Sequence, residues 1–138
     1  MLSGEIQVRV RYAETDRMGL LHHANYLVYF EQARTELLRA QGRSYRDLED
    51  AGFYLVIAKA EVKYKNPAHY DDVLTIRTTV TRTSPIRLEH KYEVFRDGLP
   101  VAEGTTTLAC VDRQGKLQAM PGWLTETNHG IHGNKTSD

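Results

Sequence analysis

The chain has 138 residues, of which 41% are hydrophobic and 26% charged, as in a single globular domain that buries its own core. Eighteen basic and 18 acidic residues cancel, which argues against the basic surface that nucleic acids or anionic membranes require and favours a small-molecule partner. The single cysteine, Cys110, excludes an internal disulfide, and no apolar run approaches the roughly 20 residues of a membrane span, so we expect a cytoplasmic protein.

The first predicted elements are a strand and a long helix. Apolar and polar residues alternate from 5 to 12, which is the period of a strand with one buried face. The spacing then changes to steps of three and four, which predicts a helix that begins near Ala24 or Asn25 and ends before Gly42. The apolar stripe of this helix consists of Tyr26, Phe30, Ala33, Leu37 and Ala40.

Four more strands are predicted after a short helical turn at 44–51. The buried faces of the second and fourth strands would consist of Val56, Ala58, Ala60, Val62 and Tyr64, and of Leu88, His90, Tyr92 and Val94. Short turns join antiparallel neighbours, so this order predicts an α+β fold with a five-stranded antiparallel sheet and one helix on one face. The end of the chain is polar and aperiodic, which predicts a single domain over 1–124 and a flexible tail over 125–138.

Several spaced motifs surround the predicted helix. The patterns Y-x-x-T-D-x-x-G, H-x-N-Y and F-E-x-A-R lead into it, and the segment VKYKNPAHYDDVL follows. The matching residues are Tyr12, Thr15, Asp16, Gly19, His23, Asn25, Tyr26, Phe30, Glu31, Ala33, Arg34, Tyr64, Pro67, Ala68, Asp71 and Asp72. This series resembles the 4-hydroxybenzoyl-CoA thioesterase family of the hotdog fold, with Glu14 as a departure where relatives often carry Asp.

The resemblance implies both a fold and an activity. The fold would be a five-stranded antiparallel sheet wrapped around one long central helix, and two such sheets would join edge to edge in a homodimer. Two dimers would form a homotetramer. The activity would be hydrolysis of acyl-CoA thioesters at the subunit interface, without a cofactor or metal ion.

The residues before the helix fit the chemistry of thioester hydrolysis. Asp16, ionised at neutral pH, can act as general base toward water or attack the carbonyl as a nucleophile. The first backbone N–H groups of a helix are free to stabilise an oxyanion, and we expect the N–H of His23 to be that donor. The resemblance also places the donor seven residues after the aspartate. Gly19 would permit the close turn between them.

Other roles for these residues remain open. Asp16 can be a capping carboxylate, His22 and His23 a general base or metal ligands, and Asn25 a cap or turn residue. Glu31 is a further candidate carboxylate, because some hotdog thioesterases carry theirs on the central helix. Thr15, Asn25, Tyr26 and Glu31 are therefore the expected supporting residues around the catalytic ones.

Substrate contacts are less specific in the sequence. Tyr29 belongs to an aromatic stripe whose outer members can line an acyl pocket. Phosphates of CoA need cations, and the candidates are Lys59, Lys63, Arg82 and Arg87. The same charges also occur on any solvated face of a sheet.

Two other functions are compatible with the sequence. Hydratases and dehydratases of acyl thioesters use the same fold, but they need a histidine paired with a carboxylate near the helix. A non-catalytic acyl-CoA binding module would keep the fold and pocket without turnover, and Asp16 argues against it.

Overall fold

Five strands form an antiparallel sheet in the computed structural model, which describes residues 2–124. The strands are β1 (Ser3–Arg9), β2 (Tyr54–Tyr64), β3 (Val73–Thr83), β4 (Arg87–Arg96) and β5 (Leu99–Val111), in the spatial order β1-β3-β4-β5-β2. A 3₁₀ turn (Tyr12–Glu14) and the helices α1 (Asn25–Arg39) and α2 (Tyr45–Asp50) lie between β1 and β2. The predicted tail, 125–138, lies outside the described residues. No helix in the described part is long and apolar enough to cross a membrane.

Helix α1 packs on one face of the sheet through its aromatic stripe. Tyr26, Tyr29, Phe30 and Ala33 are buried in one cluster with residues of β3, β4 and β5. The ring of Phe30 stacks on that of Tyr92 with centroids 4.2 Å apart. Gly104 makes this approach possible, because an added Cβ would lie 2.5 Å from the Phe30 ring. This packing therefore fixes the position of the start of α1 on the sheet.

The structure confirms most predicted elements. Helix α1 begins at Asn25 and ends at Arg39, within the predicted limits, and α2 occupies the predicted helical turn. The β4–β5 hairpin turns at Asp97 and Gly98, whose φ angles of 48° and 81° suit a tight antiparallel connection. Strands β3 and β4 alternate between buried and less buried residues, as their period predicts.

Two predictions about buried faces are wrong. The first strand ends at Arg9, and Tyr12, predicted to be buried, begins the 3₁₀ turn with 78% of its surface exposed. In β2, the predicted inward residues Val56, Ala58, Ala60 and Tyr64 are exposed. The reason is that α1 packs mainly on β1 and β3, whereas β2 lies at the opposite edge of the sheet, next to β5.

Candidate active site

Asp16 lies in a tight loop before α1. Its Oδ1 accepts hydrogen bonds from the backbone N–H of Met18 (2.9 Å) and of Leu20 (3.1 Å). Gly19 permits this turn, with a φ of 79° in the left-handed region. Oδ2 of Asp16 has no hydrogen-bond partner within residues 2–124, and the residue is exposed. The carboxylate is thus oriented through one oxygen, and its other oxygen is available.

Backbone bonds attach this loop to the rest of the molecule. The N–H of Leu21 donates to the carbonyl of Ala68 at 2.8 Å, and Leu20 forms a β-bridge with His69. Thr15, an expected supporting residue, donates its hydroxyl to the carbonyl of Tyr12 at 2.7 Å. The loop that carries Asp16 is therefore fastened at both ends.

Glu14 holds the loop that carries Asp16 in place, a role that the sequence analysis did not predict. Its side chain is buried and accepts hydrogen bonds from the Tyr29 hydroxyl at 2.6 Å and from the Arg11 side chain at 3.0 Å. Burial alone would raise the pKa of Glu14, but the hydrogen bonds from Tyr29 and Arg11 outweigh it, so the pKa is lowered. The same burial and the bond to Glu14 raise the pKa of Tyr29. Glu14 is thus a buried, ionised carboxylate next to the loop.

The turn that contains His23 leads directly into α1. The His22 N–H (2.9 Å) and the Asn25 side chain (3.0 Å) both donate to the carbonyl of Glu14, and the Asn25 N–H donates to the His22 carbonyl at 3.0 Å. The N-cap is Ala24, which supplies no side-chain cap. Within residues 2–124, no acceptor lies in hydrogen-bond range of the His23 N–H. Asn25 therefore acts as a turn anchor, and the His23 N–H is a free donor.

Asp16 and His23 line the same cavity, of about 310 Å³. The other lining residues are Leu20, Leu21, Tyr26, Tyr64, Lys65, Asn66 and Pro67. Burial raises the pKa of Tyr26 to about 12, so its hydroxyl stays protonated at neutral pH. The Tyr64 hydroxyl donates to the His23 carbonyl at 3.0 Å. The cavity thus brings Asp16 and His23, each with a polar group unbonded within residues 2–124, together with aromatic and apolar side chains.

The second candidate carboxylate, Glu31, lies elsewhere on α1. It is exposed and lines a separate cavity of about 260 Å³ together with Leu27, Val28, Arg34, Ile57, Ala60 and Thr106. No cation of the described residues lies within 4.0 Å of it, and Arg34 instead donates to the Tyr92 hydroxyl at 3.4 Å. Within one subunit, Glu31 does not join Asp16 and His23 at their cavity.

The four predicted CoA cations fall into two groups. Lys59, Arg82 and Arg87 line one cavity of about 500 Å³, and no carboxylate among residues 2–124 lies within 4.0 Å of either arginine. Lys63 lines a different cavity of about 500 Å³ beside Lys91. Tyr29, the predicted substrate contact, is fully buried, its hydroxyl donates to Glu14, and it lines none of these cavities.

Two other histidines, His22 and His90, and the cysteine have structural surroundings. The Nδ1 of His22 accepts a hydrogen bond from the Ala24 N–H at 3.3 Å. Cys110 is buried, and burial raises the pKa of its thiol. His90 is buried as predicted, and burial lowers its pKa to about 3; its Nδ1 has no hydrogen-bond partner in the described chain. No three His, Cys, Asp or Glu side chains among residues 2–124 are grouped to hold a metal ion.

Comparisons with known proteins agree with this fold and identify the family. The family model of the thioesterase-like superfamily matches residues 10–127. The acyl-CoA thioesterase YbgC of Haemophilus influenzae is 34% identical over 82% of this chain and 83% of its own length. The acyl-CoA thioester hydrolase YbgC of Escherichia coli is 34% identical over 83% of this chain and 87% of its own length.

A solved structure extends the agreement to three dimensions. The DHNA-CoA thioesterase from Staphylococcus aureus superposes with a TM-score of 0.88 at 31% identity, covering 94% of this chain and 91% of that one. The match confirms the predicted α+β fold with its five-stranded antiparallel sheet. The chain therefore belongs to the thioesterase-like superfamily.

Proposed function

We propose that this protein hydrolyses the thioester of an acyl-CoA to a carboxylic acid and free CoA. One observation carries the proposal: the same cavity is lined by Asp16, whose carboxylate has an available oxygen, and by His23, whose backbone N–H has no acceptor among residues 2–124. Hydrolysis of a thioester needs a base or nucleophile on one side of the carbonyl and a donor for its oxygen. Membership of the thioesterase-like superfamily supports this assignment.

Asp16 begins the reaction in this proposal. As a general base it takes a proton from water, and the resulting hydroxide forms a bond to the thioester carbon. As a nucleophile it bonds to that carbon itself and gives a mixed anhydride, which water then cleaves. Either route breaks the C–S bond, and the CoA sulfur leaves as a thiolate that takes up a proton. Both routes place negative charge on the carbonyl oxygen, where the His23 N–H donates a hydrogen bond.

The cavity walls suggest how the substrate lies. The acyl group would enter the cavity that holds Asp16, between the apolar side chains of Leu21 and Pro67 and the ring of Tyr64. The CoA phosphates would bind Arg82 and Arg87, which have no carboxylate partner in the described chain. One of the similar structures is named for an aromatic acyl-CoA, DHNA-CoA, so aromatic as well as aliphatic acyl groups are candidates.

The proposed assembly is a homodimer, or a homotetramer built from two dimers, in the cytoplasm. Each sheet would wrap around its α1, and two β2 edges would pair. Strand β2 has 11 residues and a single sheet neighbour, so its outer N–H and C=O groups are open to pairing. Exposed apolar residues lie at this edge and on the neighbouring face of α1: Leu27, Val28, Val56 and Ile57. Such an assembly would bring residues of a second subunit to the site.

A screen of acyl-CoAs tests the proposed activity. Acyl groups of different length and ring content are incubated with the protein, and a thiol reagent reports free CoA. We expect thiol release from at least one class of acyl-CoA. Loss or gain of enoyl absorbance without thiol release would instead identify a hydratase, although neither His22 nor His23 contacts a carboxylate among residues 2–124. Tight binding of an acyl-CoA without turnover would identify a binding module.

A further inference from the structure

The hydroxyl of Tyr64 holds the turn that presents the His23 N–H. Tyr64 ends β2, opposite Ala102 of β5, and its hydroxyl donates to the His23 carbonyl at 3.0 Å. The two residues are 41 positions apart in the chain. The bond therefore connects the turn before α1 to the edge of the sheet.

The ring of Tyr64 fixes the direction of this hydrogen bond. It packs edge to face against Tyr26, with centroids 5.2 Å apart, and against His23 at 6.5 Å. Edge-to-face packing of this kind is a favoured arrangement of aromatic rings. Although half of the Tyr64 surface is exposed, its position is defined by two rings and one hydrogen bond.

The two peptide planes on either side of the His23 Cα are held by different bonds. The peptide between His22 and His23 is held by the Asn25 N–H, which donates to the His22 carbonyl at 3.0 Å. The peptide between His23 and Ala24 is held at its carbonyl by Tyr64 at 3.0 Å, with a longer bond from the Tyr26 N–H at 3.4 Å to the same oxygen. Its N–H donates a further long bond, of 3.3 Å, to the His22 Nδ1. With both planes fixed, the His23 N–H has a defined direction, and His23 lines the cavity that also contains Asp16.

We propose that Tyr64 is a positioning residue that orients the His23 N–H for the developing oxyanion. The inference rests on the proposed thioesterase function, in which a donor stabilises the carbonyl oxygen. A donor that is already aligned needs no reorganisation when charge develops, and this alignment is the source of its effect on the rate. Tyr64 itself transfers no proton and forms no bond to the substrate in this account.

Tyr64→Phe tests the inference, because it removes the hydroxyl and keeps the ring. We expect kcat to fall about 3- to 10-fold, the effect of one neutral hydrogen bond, with KM changed less than about 2-fold. A bound analogue with a ¹³C-labelled ketone in place of the thioester should show a smaller shift of its carbonyl stretch than in the wild type. Tyr54→Phe is the matched control, since Tyr54 begins the same strand and its hydroxyl has no hydrogen bond within residues 2–124.

Backbone NMR relaxation tests the positioning without any turnover. In Tyr64→Phe the amides of His23 and Ala24 should have lower order parameters than in the wild type, and in Tyr54→Phe they should not change. Wild-type values of kcat and of these order parameters in Tyr64→Phe would overturn the inference, and a higher KM with unchanged kcat would show that the hydroxyl contacts substrate instead. A wild-type protein that releases no thiol would refute the proposed function, and the relaxation data would still decide whether Tyr64 orders the turn.

Discussion

At the scale of single residues, the candidate site depends on hydrogen bonds that leave one acceptor and one donor unused. The Oδ1 of Asp16 accepts hydrogen bonds from two backbone N–H groups of its own turn. In the turn that follows, the His22 N–H donates to the Glu14 carbonyl, and the Asn25 N–H donates to the His22 carbonyl. The Asp16 Oδ2 and the His23 N–H have no hydrogen-bond partner among residues 2–124 and therefore remain for a substrate.

Two substitutions at His23 separate the backbone from the imidazole. His23→Ala keeps the N–H, so most of the activity should remain. His23→Pro removes the N–H, and turnover should fall by on the order of 100-fold, as for the loss of one oxyanion donor. The measurement is steady-state thiol release, with circular dichroism to verify that both variants fold. A severe and equal loss in both folded variants would contradict the backbone role and indicate that the imidazole acts.

The roles of some of these residues could be predicted from the sequence, whereas those of others could not. Asp16, Gly19 and His23 follow one another within a single motif, so their proximity could be predicted from spacing and a turn glycine. Glu14 and Tyr64 could not be assigned, because their roles depend on partners distant in the chain. Tyr29 lies 15 residues from Glu14, and His23 lies 41 residues from Tyr64. Contacts of this kind leave no periodic signal in a sequence.

At the scale of elements, the start of α1 and the edge strand β2 determine the site. Helix α1 has no side-chain N-cap, so its first turn is positioned by the Glu14 carbonyl and by Tyr64 from β2. Strand β2 thus contributes to the site and also presents the open edge of the sheet. A partner that paired with β2 would lie next to the cavity walls.

Ile57→Lys tests whether the β2 edge is an interface between subunits. Ile57 is an apolar residue with 49% of its surface exposed at this edge, and a lysine there would place a charge in a paired interface. We expect the variant to be smaller than the wild type in light scattering at micromolar concentration. Leu99→Lys is the control, since Leu99 is also an exposed apolar residue, at 42%, but lies in the β4–β5 hairpin. A monomeric wild type with full activity would contradict the interface.

The buried faces of the central strands could be predicted from the sequence, whereas those of the edge strand β2 could not. Strands β3 and β4 have one buried face and one less buried face, and the alternation in β4 predicted its core residues Leu88, His90, Tyr92 and Val94. Strand β2 shows a similar alternation, but exposes most of both faces within one subunit. The period identifies a strand, whereas its place in the sheet depends on pairing with strands that are distant in the chain.

At the scale of the whole molecule, the family is established and the chemistry is proposed. The chain belongs to the thioesterase-like superfamily, and its sheet order and helix position bring the Asp16 loop and the His23 turn to one cavity. Glu31 lines a different cavity of the same subunit. The central claim is therefore that Asp16, and not Glu31, is the catalytic carboxylate.

The most direct test compares Asp16→Asn with Glu31→Gln. Both substitutions remove a negative charge and keep the size of the side chain, and both sites are exposed in the subunit. Thiol release is measured together with binding of a non-hydrolysable acyl-CoA analogue. We expect Asp16→Asn to fold and bind the analogue but to lose at least about 100-fold in turnover, whereas Glu31→Gln should retain most of it. An active Asp16→Asn together with an inactive Glu31→Gln would contradict the account and assign catalysis to the carboxylate on α1.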